Sequence, residues 1–405
     1  MKINTLGRII TLSLVVATTI HATNGDNLIS VGAKSRGMGG TGIAVSHGAE
    51  STLNNPALIT GIEGTEVAFG GTLFMPTIKS QLPFPGNPEY TSDADMNMIP
   101  EVSIAHKLND NWFIGIGMWG TAGMGTDYSK APLNPAVGQM GNFHMVTNLQ
   151  LLQFGISAAY KTGGLSIALT PILQYGNLDI NYFNPLVPPG QNVGAGLAQD
   201  FGFGYNVGAT YDFSNNGVAG LTLGAFYKSS IEMNYDGQLS TAMAAFGVPG
   251  FSDALEQPAE YGLGIAYTTG QHTLAFDYRN IQWSDAKGYS DFQWEDQDVY
   301  AFGYEYSQNN LALRVGYNYG SSAVTETANP LFNVLNLLGF PATSETHYTF
   351  GGTYTFTEQF SLDLAYVYSP KTTETFDVSR MFGPGAKIST SHQESSASFQ
   401  LVYKF

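Results

Sequence analysis

From about residue 64 to the end of the chain, apolar residues alternate with small or polar ones at period two, in segments of roughly ten residues. Phe360, Leu362, Leu364, Tyr366 and Tyr368 fall on one face of such a segment, and Ser361, Asp363, Ala365 and Val367 on the other. Leu311, Leu313, Val315, Tyr317 and Tyr319 stand in the same way against Ala312, Arg314, Gly316 and Asn318. Successive side chains of a β-strand point to opposite faces, so the pattern specifies strands with one greasy and one small or polar face. A segment of this length is too short to cross a bilayer as a helix, which needs about 20 apolar residues, but long enough to cross as a tilted strand.

The connections alternate as well. Short links cover 108–111, 161–164, 213–217, 268–271, 307–310 and 357–359. Long ones cover roughly 80–96, 121–146, 181–200, 233–257, 286–293, 321–344 and 371–391. Six short and seven long connections join fourteen strands. The even count puts both ends of the sheet on the side of the short turns, the arrangement of an outer-membrane barrel with periplasmic turns and long outer loops. A soluble sandwich also alternates, but its apolar faces meet in a core and it seldom carries so many long connections. In hydrocarbon every backbone N–H and C=O must be paired, and closure of the sheet removes the unpaired edges. Tyr and Phe gather near segment ends, where amphipathic rings sit at the two membrane interfaces. The expectation is therefore an all-β, fourteen-stranded antiparallel transmembrane barrel over residues 63–405, with seven extracellular loops.

Composition agrees and narrows the function. Charged residues make up 12% of the 405, about half of the roughly 25% usual in soluble domains. The net charge of −16 lacks the basic footprint of a nucleic-acid partner. A mean hydropathy of −0.05 argues against a bundle of membrane helices. Disorder is excluded by 43% apolar and 13% aromatic residues, which give ample surface to bury. There is no cysteine, so stability must come from architecture rather than disulfides.

The first 22 residues carry Lys2 and Arg8, then a largely apolar run from Ile9 to Ile20, and end in His21-Ala22. That is a secretory signal peptide with its cut after Ala22. Residues 23–62 do not alternate and read as a Gly-rich plug inside the barrel. They hold Gly37-Met38-Gly39-Gly40-Thr41-Gly42, which matches the spacing of a dinucleotide-binding loop. No strand precedes the run and no βαβ unit follows it, so that reading fails. At the other end Phe399, Leu401, Tyr403 and Phe405 alternate to the terminus, and the terminal aromatic resembles the signal read by the outer-membrane assembly machinery.

The run Ser35-Arg36-Gly37-Met38-Gly39-Gly40-Thr41-Gly42, followed by Asn54-Asn55-Pro56-Ala57-Leu58, resembles the N-terminal signature of the FadL family of outer-membrane transporters. Leu313-Arg314-Val315-Gly316-Tyr317 and Phe360 to Tyr368 extend the likeness across the chain. The resemblance implies a fourteen-stranded barrel plugged by an N-terminal hatch, with Arg36, Gly37, Gly39, Gly40, Asn55, Pro56 and Ala57 as hatch motif. It also implies a cargo of long-chain fatty acids or aromatic hydrocarbons, and a kink in the third strand that opens the wall sideways. Gly115, Gly117 and Gly120 are the candidates for that opening, since strand glycines mark bulges or close packing; making room for the hatch is the competing reading.

Ligand-binding candidates follow from parity and periodicity. Phe113 and Trp119 point into the lumen. So do the charges Lys228, Asp277, Arg279, Glu305, Arg314 and Asp363. These either neutralise one another and pin the hatch, or leave Lys228, Arg279 or Arg314 to receive a fatty-acid carboxylate. In the loops, Leu239, Met243 and Phe246, and again Leu331, Val334, Leu335 and Leu338, recur at helical spacing. Such stripes are either exposed patches that capture cargo or buried faces of a cap. No H-E-x-x-H, nucleophile elbow or cysteine is present, so neither catalysis nor a metal or other cofactor is expected. The sequence thus points to a monomeric channel for passive uptake of hydrophobic compounds, set among outer-membrane lipid and lipopolysaccharide, with loop capture, lumen binding and hatch-gated lateral release. The alternative is a general porin or a surface adhesin.

Overall fold

The computed structural model describes residues 23–84, 86–134, 139–184 and 190–405; the expected signal peptide, residues 1–22, lies outside them. Fourteen long strands build the wall: β1 (Thr65–Gln81), β2 (Asn97–Lys107), β3 (Trp112–Asp127), β4 (Val146–Thr162), β5 (Leu165–Asn184), β6 (Ala198–Asp212), β7 (Leu221–Lys228), β8 (Glu260–Thr269), β9 (His272–Ile281), β10 (Gln297–Gln308), β11 (Leu311–Gly320), β12 (Thr346–Thr355), β13 (Phe360–Asp377) and β14 (Lys387–Lys404). Each pairs antiparallel with the next, and β14 pairs back onto β1 from Ser389↔Gln81 to Lys404↔Glu66. The sheet is closed. All six short links and all seven long ones fall where the alternation placed them, although β3, β13 and β14 run several residues further into the loops than expected.

The parity assignment holds around the cylinder. Ile156 is 64% exposed and Phe203 78%, on the outside, while Asp363 and Asn318 are fully buried on the inside. An outward row of large apolar side chains recurs on strand after strand, including Leu263, Phe302, Leu313, Phe350 and Leu364. Such a belt has no partner among the described residues and is satisfied by lipid.

Residues 23–62 fill the interior. A hairpin of Thr23–Asn24 and Asn27–Leu28 leads into a helical turn, Ala33–Gly37, and then the turns Ser51–Asn54 and Pro56–Gly61. The hatch motif is explained by close approach to the wall. Arg36, 1% exposed, donates to both carboxylate oxygens of Glu101 on β2 and to Thr72 Oγ1 at 2.6 Å. Gly39 and Gly40 have φ of 73° and 85°, a left-handed backbone that favours glycine. A Cβ on Gly39 would lie 2.6 Å from the Phe302 carbonyl oxygen of β10. The same glycine's N–H donates to Thr349 Oγ1 at 2.8 Å, and its carbonyl accepts from Asn318 Nδ2 at 3.0 Å. Asn55 caps the Pro56–Gly61 turn by accepting from the Ala57 N–H at 3.1 Å, and donates to the Ile43 carbonyl at 2.7 Å.

Above the hatch, the outer loops fold inward. Helices α1 (Gln238–Ala244) and α2 (Pro330–Leu338) join Trp283, Tyr289 and Trp294 in one large apolar cluster that reaches down to Trp119 and Leu53.

Candidate functional site

The wall has one built irregularity on its third strand. β2 and β3 pair regularly from Lys107↔Phe113 to Glu101↔Trp119, and there the pairing ends although both strands continue. On its other side, β3 shifts register against β4 between Gly120 and Ala122. Beyond the shift the hatch takes the vacated place: Asn27 pairs antiparallel with Ala122, and the Gly123 N–H donates to the Asp26 carbonyl at 3.1 Å. Pro100 sits on β2 at the first position without a β3 partner. It offers no N–H, so this stretch of edge cannot be zipped to a neighbour as an ordinary strand would be.

Behind the parted strands lies a cavity of about 480 Å³. Leu28, Ile99, Pro100, Met124, Leu149 and Leu151 supply apolar wall, and Thr23, His392 and Glu394 form a polar end. Among the described residues no Lys or Arg lines it, whereas Asp127 and Glu394 do.

The three candidate glycines separate. Gly115 and Gly117 lie in unbroken ladder, with Gly115 facing Thr52 and Ile59 of the hatch and Gly117 facing the Trp119 ring. They make room. Only Gly120 stands at the break, with Ile99 over the place of its missing side chain.

The ligand candidates are redistributed too. Phe113 packs with Ile59 and Ile62 at the foot of the hatch. Trp119 is fully buried and donates to Ser103 Oγ at 2.8 Å. Neither lines the cavity. The lumen charges neutralise one another and hold the hatch. Arg279 lies 3.2 Å from Glu260 and donates to the Ile29 carbonyl at 3.0 Å, and Lys228 lies 3.3 Å from the same Glu260. Arg314 pairs with Glu305 at 2.6 Å, and Lys34 with Asp363 at 3.5 Å. Asp277 accepts from the backbone N–H groups of Gly42 and Ile43 at 2.7 and 3.0 Å.

The loop stripes correct the capture reading in the same way. Leu239, Met243, Leu331, Leu335 and Leu338 are all buried, and Phe246 stacks on Tyr182 with ring centroids 5.2 Å apart. An apolar stripe buries itself when other apolar surface is within reach; α1 packs on β5, and α2 on β13 and β14, within one apolar cluster.

The hatch itself holds buried acids. Tyr289 of an outer loop donates to Asp26 Oδ2 at 2.5 Å, and burial pushes the Asp26 carboxyl up to about 6. Burial likewise raises Glu50 to about 7 and holds His47 down at about 3.

The description "Outer membrane protein transport protein (OMPP1/FadL/TodX)" belongs to a family model that matches residues 14–405. The chain belongs to this family. The family is one of outer-membrane transport proteins, and this chain is an outer-membrane β-barrel of that family. It is 25% identical over 378 residues to the 47 kDa outer membrane protein of Pasteurella multocida, covering 82% of this chain and 84% of that one. It is 24% identical over 227 residues to the long-chain fatty acid transport protein of Salmonella typhi, about half of either chain. Among solved structures, the toluene transporter TodX of P. putida superposes with a TM-score of 0.70 at 20% identity, over 93% of this chain and 99% of that one. A FadL homologue of Pseudomonas aeruginosa gives 0.69 at 16%, over 96% and all of it.

Proposed function

We propose that this channel passes uncharged hydrophobic molecules, aromatic hydrocarbons before fatty-acid anions, from the outer loops into the wall cavity and out between β2 and β3. The observation that carries the choice is the cavity's lining: apolar walls, two carboxylates and no cation among the described residues. A carboxylate cargo entering it would meet like charge and lose its hydration, a cost that only a partner cation offsets. Lys228 and Arg279 border a second cavity of about 60 Å³ with Glu260 between them, room for a few water molecules and not for an acyl chain. The toluene transporter among the structural relatives is in keeping with this reading, and the fatty acid transport protein among the sequence relatives names its rival. The packed lumen weighs against a general porin.

Lateral exit suits such cargo. A hydrocarbon that goes from the cavity straight into the bilayer avoids re-entering water, a cost of about 25 cal/mol per Å² of apolar surface, and needs no energy source. The hairpin at residues 23–28 is the movable part, since Asp26 and Asn27 bond β3 directly beyond the point where β2 leaves it.

The test is uptake of labelled toluene and labelled oleate in a strain lacking the chain, restored with the natural protein, Arg279→Ala or Arg314→Ala. Toluene entry should depend on the chain, with both variants active, while oleate entry is indifferent to it. Chain-dependent oleate uptake that either arginine variant abolishes would reverse the assignment of substrate.

A further inference from the structure

Thr23 is the first residue of the hatch hairpin and is buried at the polar end of the wall cavity. Its Oγ1 donates to Glu394 Oε1 at 2.5 Å, and its backbone N–H donates to His347 Nε2 at 3.1 Å. That same N–H also faces the Glu394 carboxylate. His392 Nε2 lies 3.2 Å from Glu394 Oε1, and His347 Nε2 lies 3.9 Å from Oε2. Glu394 is 1% exposed, His347 0% and His392 5%. Yet no described group donates to Oε2 of Glu394 at hydrogen-bond distance, although the Ser344 hydroxyl also faces the carboxylate, and no Lys or Arg among the described residues forms an ion pair with it.

A carboxylate so deeply buried needs a positive partner and a full set of donors. The side chains around it supply two imidazoles and hydroxyls, but no fixed charge. The missing charge is available from the backbone. A peptide N–H at Thr23 gives one donor and no charge; a chain terminus at Thr23 gives three donors and an ammonium, at the same nitrogen.

We propose that cleavage after Ala22 creates an α-ammonium on Thr23 that pairs with Glu394, and that this pair latches the hairpin shut against the wall opening. The proposal rests on reading residues 1–22 as a signal peptide. Two of the hairpin's ties face the wall opening, to β14 through Glu394 and to β3 through the Asn27↔Ala122 bridge, beside the hydrogen bonds that Asp26 and Asn27 accept from Tyr289 and Gln257. Release of the first lets the second peel away. The latch also fixes the cleavage position: one extra residue would carry the ammonium about 3.5 Å further along the chain, past Glu394. Because Glu394 neutralises the ammonium, the cavity offers no free cation to an anionic cargo.

The experiment uses the protein purified from outer membranes. Intact mass gives the first residue. Brief treatment with an amine-reactive ester at neutral pH, followed by mass spectrometry of the N-terminal peptide, gives the reactivity of the α-amine. Three proteins are compared: the natural one, Glu394→Gln, and one carrying a serine inserted between Ala22 and Thr23, whose Glu394 is intact. Shifted mobility of unheated samples in gels reports that each barrel is folded. The natural chain should begin at Thr23 and label at least about tenfold more slowly than either variant, the ratio that 1.4 kcal/mol of closure gives. A first residue other than Thr23 overturns the signal-peptide reading. A chain that begins at Thr23 but labels as fast as both variants leaves that reading intact and overturns the latch.

Discussion

Asn27 of the hatch hairpin stands directly across from Ala122 of β3 in an antiparallel bridge, three residues past Trp119, the last residue of β3 that β2 bonds. Facing residues of antiparallel strands have Cα atoms about 4.5–5.5 Å apart, within the range a disulfide spans. The chain has no cysteine, so the pair Asn27→Cys with Ala122→Cys can be oxidised without competing thiols. Oxidation should stop toluene uptake and reduction should restore it. Equal uptake in both redox states would mean that cargo leaves without moving this hairpin.

Gly120 has no side chain where the wall parts, and the Ile99 side chain lies over the vacant position. Gly120→Leu places an isobutyl group in the mouth of the gap. The expected result is loss of most hydrocarbon uptake by a barrel that still folds and inserts, scored by uptake together with heat-dependent gel mobility. Gly115→Ala, earlier on β3, would bring its Cβ within 3.1 Å of Thr52 Cγ2 and should instead press on the hatch and lower the melting temperature.

Arg36 and Glu101 are both buried, and Glu101 is the guanidinium's only carboxylate partner among the described residues. Removing one member of a buried pair leaves an uncompensated charge and costs about 3–5 kcal/mol. Glu101→Ala should therefore loosen the hatch. The readouts are a lower melting temperature in detergent and sensitivity of the host to large antibiotics that the closed barrel excludes. A host no more sensitive than before would mean the hatch is held without this pair.

The barrel was legible because its physics is local: alternation, turn chemistry and strand parity each survive in the sequence whatever the far side of the cylinder does. Phe360, Leu362, Leu364, Tyr366 and Tyr368 face lipid and Ser361, Asp363, Ala365 and Val367 face the lumen, as period two requires. The fate of the inward charges needed the third dimension. Arg279 and Glu260 lie diagonally on neighbouring strands, Arg279 standing opposite Gly262 and Glu260 opposite Ile281, and nothing in either segment alone discloses the other. The cavity was harder still. Its polar end brings Thr23 to His392 and Glu394, with 371 positions between Thr23 and Glu394, and its apolar wall comes from strand faces that read as ordinary core. One signal stood in the sequence unused: Pro100 inside an otherwise good strand, which marks a stretch that bonds on one side only. The loop stripes were visible, but periodicity reports that a face is buried and not against what.

Asp26 makes the closed hairpin sensitive to pH in a direction that can be worked out. Burial outweighs the hydrogen bonds from Tyr289 and Gln257 and lifts its carboxyl to about 6, against about 3.9 in an unfolded chain. The folded state therefore holds a proton that the unfolded state has released between these values. Its contribution to stability is complete below pH 4 and is lost as the pH rises through about 6. Asp26→Asn keeps the size and the polarity without the ionisation, and so removes this dependence alone. Between pH 5 and pH 8 the natural protein should lose on the order of 1 kcal/mol relative to the variant, since one pKa unit is worth 1.36 kcal/mol. Parallel melting curves in one detergent at the two pH values measure the difference. The hairpin strand that closes the wall would then be held most firmly in mildly acidic surroundings, and a difference of zero or of opposite sign would show that Asp26 stays ionised in the closed state.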